Sequence, residues 1–240
     1  MTEAYRIKKL AETGSTNDDA RQAAEAGDAE GLVVWALKQT AGKGRHGRIW
    51  ESPEGNLYCS ILLRPKEGMD LAGLYSFVAA LALYDTVRLC LPVAEITLKW
   101  PNDVLVEGEK VAGILIEAGP DWLVIGIGLN VLHHPESGLY PSTSLLAVGA
   151  HDKALDDILE WLLRNLSHWC GIMQQQGFAP IRAAWLKHAV KGRLSVRLPN
   201  EMVVGEFAGL DERGNLRLYL ADGSERAIAS GDVFPVSQGK

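Results

Sequence analysis

Hydrophobic residues follow two different patterns along the chain, and the change between them falls near residue 188. Before it, apolar runs of strand length are interspersed with longer segments of helical period. The predicted strands are 32–37, 56–63, 95–100, 103–108, 110–119 and 121–131, and the predicted helices are 20–26, 71–91, 155–176 and 179–188. Strands joined by short links, with helices between groups of them, indicate an α+β fold.

After residue 190 the pattern changes to short alternating segments with glycine-containing turns. The predicted strands are 193–198, 201–210, 215–220, 225–230 and 232–237. The turns at 213–215 and at Asp222-Gly223 suit tight connections between them. This texture predicts a small β-barrel, so we divide the chain into 1–188 and 189–240, packed together without a long linker.

Two local signals are typical of specific turns and helix ends. Ser15, Thr16 and Asn17 precede the first helix, which stops at Gly27. A hydroxyl residue before a helix and a glycine after it are common start and stop signals, so on spacing alone Ser15 is a helix cap. The Gly108-Glu109 link between two strand-like runs predicts a hairpin.

Composition narrows the class of protein. Hydrophobic residues make up 47% of the 240 residues, which is enough for a real core. No apolar run approaches the roughly 18 residues of a membrane span, and the N-terminus lacks the apolar stretch of a secretory signal. We therefore expect a cytoplasmic protein that does not bind membranes. The net charge of −6 argues against general nucleic-acid binding.

The three cysteines, Cys59, Cys90 and Cys170, are widely spaced and lie in apolar surroundings. This spacing fits neither a disulfide framework nor a zinc cluster, so buried and unreactive thiols are expected.

The segment 38–50, KQTAGKGRHGRIW, stands out from this acidic background. Lys38, Lys43, Arg45 and Arg48 give it a charge of +4 with no acidic residue, while the rest of the chain carries −10. Backbone N–H groups of a glycine-rich loop, together with arginine side chains, bind phosphate well. The segment therefore predicts an anion site, although a solvated basic loop is the alternative from these residues alone.

Two familiar glycine motifs do not explain this loop. Gly42, Gly44 and Gly47 match the dinucleotide fingerprint, but that fingerprint requires a helix directly after the glycines, and a turn and a strand follow here. A P-loop needs Lys and then Ser or Thr, where this chain has Arg48 and Ile49. Both motifs are excluded.

A second polar cluster, KWPND at 99–103, ends a predicted strand. Taken singly, Asn102 and Asp103 are ordinary turn residues. The predicted hairpin would bring Lys110 close to Asp103. A carboxylate suited to magnesium, beside lysine and a basic loop, indicates nucleotide chemistry.

Five motifs in chain order resemble the biotin protein ligases. They are Ser-Thr-Asn at 15–17, QTAGKGRHGRIW at 39–50, KWPND at 99–103, KVAGIL at 110–115 and GIGLNV at 126–131. The resemblance covers nearly the whole chain and implies a mixed-sheet catalytic domain, related to the lipoate ligases, followed by an SH3-like domain. Some members carry an N-terminal helix-turn-helix. Because the first motif begins at residue 15, we expect the enzyme-only type.

The resemblance also implies a two-step reaction. The biotin carboxylate attacks the α-phosphate of ATP, which gives biotinyl-5′-adenylate and pyrophosphate. A lysine of a biotin carboxyl carrier protein domain, the expected partner, then attacks the adenylate and AMP leaves. The basic loop would fold over the adenylate between the two steps. The oligomeric state is open, although an exposed sheet could pair two subunits as a homodimer.

By the same resemblance, Arg45 and Lys110 would be catalytic. Biotin would be bound by Ser15, Thr16, Asn17, Gln39, Gly42, Gly44, Arg45, Lys110 and Gly113. ATP and the adenylate would be bound by Arg45, Arg48, Trp50, Asn102, Asp103, Lys110 and Asn130, with Mg²⁺ at Asp103.

The chain departs from the family's loop at Lys43 and His46, where arginine is usual. Lysine keeps the charge but lacks the planar fork, and histidine is mostly neutral near pH 7. We name neither as catalytic and expect weaker loop closure, whereas Arg45 and Arg48 are intact.

Two other functions compete with this hypothesis. A lipoate or octanoate ligase would share the fold and the adenylate chemistry, but the full loop and KWPND motifs resemble the biotin branch. A non-catalytic sensor would bind biotin without activating it, and the presence of Asp103 and Lys110 argues against that.

Overall fold

The computed structural model describes residues 5–66, 68–136, 138, 140–151 and 153–236. Seven strands form the first sheet: β1 (Arg6–Thr13), β2 (Leu32–Gln39), β3 (Leu57–Leu63), β4 (Ile96–Lys99), β5 (Asp103–Val106), β6 (Glu109–Ala118) and β7 (Leu123–Leu129). Their order is β1-β2-β3-β7-β6-β5-β4. β1 and β2 run parallel and the other neighbours antiparallel, so the predicted mixed sheet and α+β class are confirmed.

The edge strand β1 was not predicted from the sequence. None of its eight residues is buried, so no apolar face repeats along it. Its pairing with β2, from Arg6 opposite Leu32 to Thr13 opposite Gln39, defines it as a strand. Periodicity detects strands through a buried face, and an exposed edge strand has none.

Four helices cover the sheet: α1 (Thr16–Glu25), α2 (Tyr75–Cys90), α3 (Leu155–Gln176) and α4 (Phe178–Lys187). α1 buries Ala20 and Ala24 against one face of the sheet, where they meet Val34, Leu62 and Val124. The other three helices pack on the opposite face in the larger core. All four predicted helices are confirmed, with α1 beginning at Thr16 rather than at Ala20.

The stretch Met69–Cys90, which includes α2, is apolar enough by length and composition to cross a membrane. The most apolar 18-residue window of this stretch is 72% buried inside the protein. This degree of burial identifies α2 as a core helix, because nearly every face of it contacts the sheet or another helix.

The predicted hairpin between β5 and β6 is confirmed, with Glu107 and Gly108 as its two turn residues. Their φ angles are +50° and +81°, the left-handed pair that a two-residue hairpin turn requires. Asp103 lies opposite Gly113 in this hairpin. The turn therefore brings the end of the KWPND segment beside the middle of β6.

A second, antiparallel sheet follows: β8 (Arg193–Arg197), β9 (Met202–Leu210), β10 (Leu216–Tyr219), β11 (Glu225–Ile228) and β12 (Asp232–Pro235), in the order β11-β10-β9-β8-β12. All five predicted strands are confirmed, although residue 237, at the end of the last one, lies outside the described residues. The second sheet shares one apolar core with the first. In addition, the Trp100 indole donates to the Gly214 carbonyl at 3.0 Å.

The two sheets are joined without a linker. Leu98 of β4 donates to the His188 carbonyl at 2.8 Å and accepts from Val190 at 2.9 Å, so residues 188–190 extend the edge of the first sheet. The change of sheet therefore falls between this segment and β8. A domain boundary at 188/189 stays a prediction.

Candidate active site

A cavity opens on the α1 face of the first sheet, just beyond the start of that helix. Its floor contains three glycines, Gly126 and Gly128 of β7 and Gly113 of β6, and Gly113 lies directly opposite Gly128. Farther along β7, where α1 packs, the same face carries Val124. The absence of side chains at the glycines lets the cavity-lining side chains of Trp50 and Asn17 lie directly against the backbone of the floor.

Trp50 lies directly against this floor. A Cβ added at Gly128 would lie 2.5 Å from both Nε1 and Cε2 of the indole, and one added at Gly113 would lie 2.9 Å from its Cζ3. The Trp50 Nε1–H is buried and has no hydrogen-bond partner among the described residues. Leaving a buried donor without a partner destabilises a protein by about 1–3 kcal/mol. This N–H group is therefore well suited to donate to an acceptor atom of a ligand in the cavity.

One end of the cavity is a neutral hydrogen-bond network at the start of α1. The Gln39 Oε1 atom accepts from the Thr16 backbone N–H at 2.8 Å and lies 3.1 Å from its hydroxyl. The Ser60 hydroxyl, fully buried, lies 2.8 Å from the Thr16 hydroxyl and 2.6 Å from Asn17 Oδ1. Asn17 also donates to Glu117 at 2.7 Å. Such a network presents hydroxyls and amides in fixed orientations.

Ser15 occupies the N-cap position, but its side chain makes no capping hydrogen bond. It is buried and lines the cavity. The prediction from spacing is therefore right about the position of Ser15 at the N-cap, but its side chain lines the cavity and does not cap the helix.

The other end is charged and is organised around Asp103, which is buried. Its two oxygens pair with two ammonium groups, Oδ1 with Lys110 at 2.6 Å and Oδ2 with Lys99 at 2.9 Å. Burial would raise the pKa of Asp103, but the two lysines outweigh it and hold the pKa below its usual value. The predicted proximity of Lys110 to Asp103 is confirmed.

Lys99 is a buried lysine whose charge is surrounded on several sides. Besides Asp103, its Nζ donates to the Val233 carbonyl at 3.3 Å and lies 3.2 Å from the centroid of the Tyr140 ring. Burial lowers the pKa of Lys99, against the opposing effect of the Asp103 carboxylate. Burial likewise raises the pKa of Tyr140.

Asp103 does not fit the predicted magnesium ion. Mg²⁺ needs oxygen ligands in a near-octahedral shell, and both Asp103 oxygens already bind ammonium groups whose positive charge would repel a second cation. No group of three or more metal-binding side chains occurs among the described residues.

The glycine-rich loop forms a narrow hairpin over the cavity. Gly44 donates to the Arg48 carbonyl at 2.7 Å and Trp50 to the Gly42 carbonyl at 2.9 Å. A short 3₁₀ turn at its tip includes His46 and Gly47, whose φ angles are +57° and +71°. This left-handed conformation favours glycine at 47, although His46 adopts it as well.

Most positively charged side chains of the basic segment form ion pairs. Carboxylates from distant parts of the chain pair with Lys38, Lys43 and Arg48: Glu12 at 2.6 Å, Asp18 at 2.5 Å and Asp232 at 2.6 Å, respectively. Even so, the charged residues that line the cavity retain a formal excess of +2: Lys43, Arg45, Arg48, Lys99 and Lys110 against Glu51, Asp103 and Asp232. An anionic ligand remains favoured there.

Arg45 and Arg48 turn toward the cavity and the second sheet. Arg45 Nη1 lies 3.4 Å from the Asn102 side-chain oxygen, and Asn102 donates in turn to the Ile114 carbonyl at 2.7 Å. Burial lowers the pKa of Arg45. For Arg48, burial would lower the pKa, but the Asp232 carboxylate outweighs it and raises the pKa above its usual value.

The structure brings all the predicted site residues to this cavity except Gly42. The predicted residues that line it are Ser15, Thr16, Asn17, Gln39, Gly44, Arg45, Arg48, Trp50, Asn102, Asp103, Lys110, Gly113 and Asn130. Gly42 lies behind the wall, where an added Cβ would meet the Trp50 carbonyl and the Ser52 hydroxyl. Its prediction as a biotin-binding residue is not supported by this position.

Sequence reasoning missed three kinds of site residue. Ser60 belongs to no motif, Tyr140 lies in an irregular segment, and Ser230–Val233 lie at the start of β12 and in the link before it. Lys99 is part of the KWPND motif but was not predicted as a site residue. The presence of a lysine within a predicted strand is the one feature of the sequence that could have identified it.

The cysteines lie apart from the cavity, and all three are buried. Burial raises the pKa of the Cys59 thiol to about 12 and that of Cys90 to about 11. The predicted burial is therefore confirmed, and because the thiolate is the reactive form, these raised pKa values are in keeping with the predicted lack of reactivity.

Comparison with known proteins gives consistent matches. The Biotin/lipoate A/B protein ligase family matches residues 13–130, and the Biotin protein ligase C terminal domain matches 193–234. Biotin--[acetyl-CoA-carboxylase] ligase of Paracoccus denitrificans is 38% identical over 94% of this chain and 98% of its own length. The enzyme of the same name from Mycobacterium tuberculosis is 38% identical over 93% of this chain and 86% of its own length.

A solved structure extends the match to the fold. Biotin protein ligase from Aquifex aeolicus, in complex with biotin and ATP, superimposes with a TM-score of 0.83 at 29% identity, covering 95% of this chain and 97% of that one. The sequence, both sheets and the helices thus match the same group of proteins.

Proposed function

The chain belongs to the biotin protein ligase family, and on that premise we propose that it activates biotin with ATP and transfers the biotinyl group to a lysine of a carboxylase carrier domain. One observation carries the proposal. Lys110 lies where the neutral end of the cavity meets the charged end, beside Trp50 and held by Asp103 at 2.6 Å. The two ends suit the two parts of a biotinyl-adenylate.

The neutral end suits the ureido ring of biotin. That ring is uncharged and has both donors and acceptors, so hydroxyls and amides recognise it better than charges do. We assign it to Ser15, Thr16, Asn17 and Gln39. Ser60 holds Thr16 and Asn17 in place, and Thr16 in turn binds Gln39. The unpartnered Trp50 Nε1–H, the indole beside the glycine floor and Asn130 are assigned to the nucleotide.

The first step must bring two anions together. An oxygen of the biotin carboxylate forms a bond to the α-phosphorus of ATP, and the bond to the leaving pyrophosphate breaks. Arg45, Arg48 and Lys110 would offset the repulsion and stabilise the charge that develops on the phosphate oxygens. Loss of one such preorganised contact typically costs about 2.7–4 kcal/mol, on the order of 10²–10³ in rate.

In the second step the ε-amine of the carrier lysine attacks the acyl carbon. A C–N bond forms, the C–O bond to AMP breaks, and the amine loses a proton. We propose that the loop of Arg45 and Arg48 shields the adenylate from water and from other amines until the carrier arrives.

We assign to Asp103 the role of holding Lys110 and Lys99 in place. The two short ion pairs support this role, because a carboxylate buried between two ammonium groups fixes their positions. Asn102 would orient Arg45 or a phosphate from the neighbouring turn.

The test is biotin-dependent exchange of labelled pyrophosphate into ATP, followed by transfer of labelled biotin to a purified carrier domain. We expect both activities in the wild type and loss of exchange in Lys110→Ala. Lys187→Ala, an exposed lysine on α4, is the matched control and should retain both. A near-normal rate in Lys110→Ala would remove Lys110 from the chemistry.

The same assays separate the alternatives. Transfer of lipoate or octanoate in place of biotin would assign the chain to that branch of the superfamily. Biotin binding without pyrophosphate exchange would identify a sensor.

We also propose a cytoplasmic location, since its carrier partner is part of a carboxylase. A homodimer would form through β1, the exposed edge of the first sheet. Sedimentation of the protein with and without biotin and ATP would test this pairing.

A further inference from the structure

The second sheet reaches into the cavity through one short segment, Ser230–Val233, which we call the C-terminal strap. The guanidinium of Arg45 lies 3.1 Å from the Ser230 hydroxyl and 3.4 Å from the Gly231 carbonyl. Arg48 Nη2 pairs with Asp232 at 2.6 Å. Lys99 donates to the Val233 carbonyl. Three cations of the site are therefore bound by four consecutive residues, of which two belong to the link before β12 and two to the start of that strand.

Asp232 is the charged member of the strap. Its side chain is 18% exposed and that of Arg48 39%, so the pair lies at the rim of the cavity rather than in its interior. On the other flank of the loop, Lys43 pairs with Asp18 of α1. The loop is thus held from both sides, by α1 and by the strap.

We propose that Asp232 is a positioning residue, which holds Arg48, and with it the glycine-rich loop, closed over the bound adenylate. This inference rests on the proposed function. It assigns to the second sheet a part in retaining the intermediate, through a carboxylate that does not itself contact the reacting atoms.

Arg48 has enough donors to bind the strap and a phosphate together. Its Nε donates to the Arg45 carbonyl at 3.1 Å, its Nη2 binds Asp232, and the Tyr140 hydroxyl is a third partner. A guanidinium has five N–H donors, so others remain for a phosphate oxygen. Asp232 therefore orients Arg48 without having to leave when the nucleotide binds.

The test compares release of biotinyl-adenylate from the wild type and from Asp232→Asn, which keeps the size of the side chain and removes its charge. Ready-made adenylate is supplied, so the measurement does not depend on catalysis. We expect release about fivefold faster in the variant, the upper end for an exposed ion pair. Because Arg48 also acts in the first step, adenylate formation should slow in the variant by no more than a similar factor.

A double-mutant cycle distinguishes positioning from a general structural effect. Release from Arg48→Ala should be fast, and adding Asp232→Asn should accelerate it no further. Glu225→Gln breaks the Arg217–Glu225 pair of the same sheet, away from the cavity, and should release the adenylate at the wild-type rate. If Asp232→Asn does not fold, as thermal unfolding would reveal, Asp232→Ser replaces it, because it also removes the charge that pairs with Arg48, and faster release is again expected.

Equal release from wild type and Asp232→Asn would overturn the inference while leaving the proposed function intact. So would slower release with tighter ATP binding, which would mean that Asp232 competes with the phosphates for Arg48. Failure of the wild type to make biotinyl-adenylate from biotin and ATP would instead overturn the proposed function.

Discussion

Gly126 and Gly128 provide a matched pair of perturbations, because they lie two residues apart on the same face of β7. A Cβ at Gly126 would overlap the Asn17 side-chain oxygen and lie 2.8 Å from its Cγ. A Cβ at Gly128 would lie 2.5 Å from Trp50 Nε1 and Cε2. Gly126→Ala therefore displaces a biotin-side residue, whereas Gly128→Ala displaces a nucleotide-side residue.

The magnitude follows from the tight contacts. Real Cβ atoms do not approach so closely, so the facing side chain must move, and added methyl groups in well-packed sites typically cost about 1–3 kcal/mol. At about 1.4 kcal/mol per factor of ten, the affinity for the ligand on that side should fall about fivefold to a hundredfold. The affinity for the other ligand should change much less.

Calorimetric titration of each variant with biotin and, separately, with a non-hydrolysable ATP analogue measures both affinities. Gly126→Ala should weaken biotin binding and Gly128→Ala nucleotide binding. Gly171→Ala in α3, with open space around the added Cβ, is the control and should bind both ligands normally. Equal losses of both ligands in both variants would refute the division of the cavity into two ends.

Three further perturbations test separate parts of the site. Arg45→Gly should fold normally but release the adenylate. A streptavidin blot should then show more labelling of bystander lysines. Unchanged selectivity for the carrier would contradict the shielding role of the loop. Ser60→Ala removes the buried hydroxyl that lies 2.8 Å from Thr16 and 2.6 Å from Asn17. Denaturant titration should show a free energy of unfolding lower by about 1–3 kcal/mol, and calorimetry should show weaker biotin binding. Asp103 has a pKa below its usual 3.8, so its ion pairs stabilise the fold above that pH and lose this effect as pH falls through the lower folded value. The stability difference between wild type and Asp103→Asn should therefore narrow below about pH 4, and a constant difference down to pH 2 would disprove the assignment.

Much of the fold could be predicted because its signals are local. Helix α3 has an apolar stripe, the hairpin after β5 has a glycine turn, and β10 alternates inward and outward residues. Each pattern depends on residues within a few positions of one another. Strand β1 was not predicted, because an exposed edge strand has no such pattern of buried residues.

The sequence by itself determined the secondary structure of both sheets apart from the edge strand β1, the exclusion of the two nucleotide-loop motifs, and the family whose motifs the chain carries. Only the tertiary structure decided which charges meet. It placed Asp103 between Lys99 and Lys110, which leaves no free oxygen for a metal ion, and it paired Arg48 with Asp232, 184 residues away in the chain. Electrostatic interaction depends on distance in space, and a local pattern of residues contains no information about that distance.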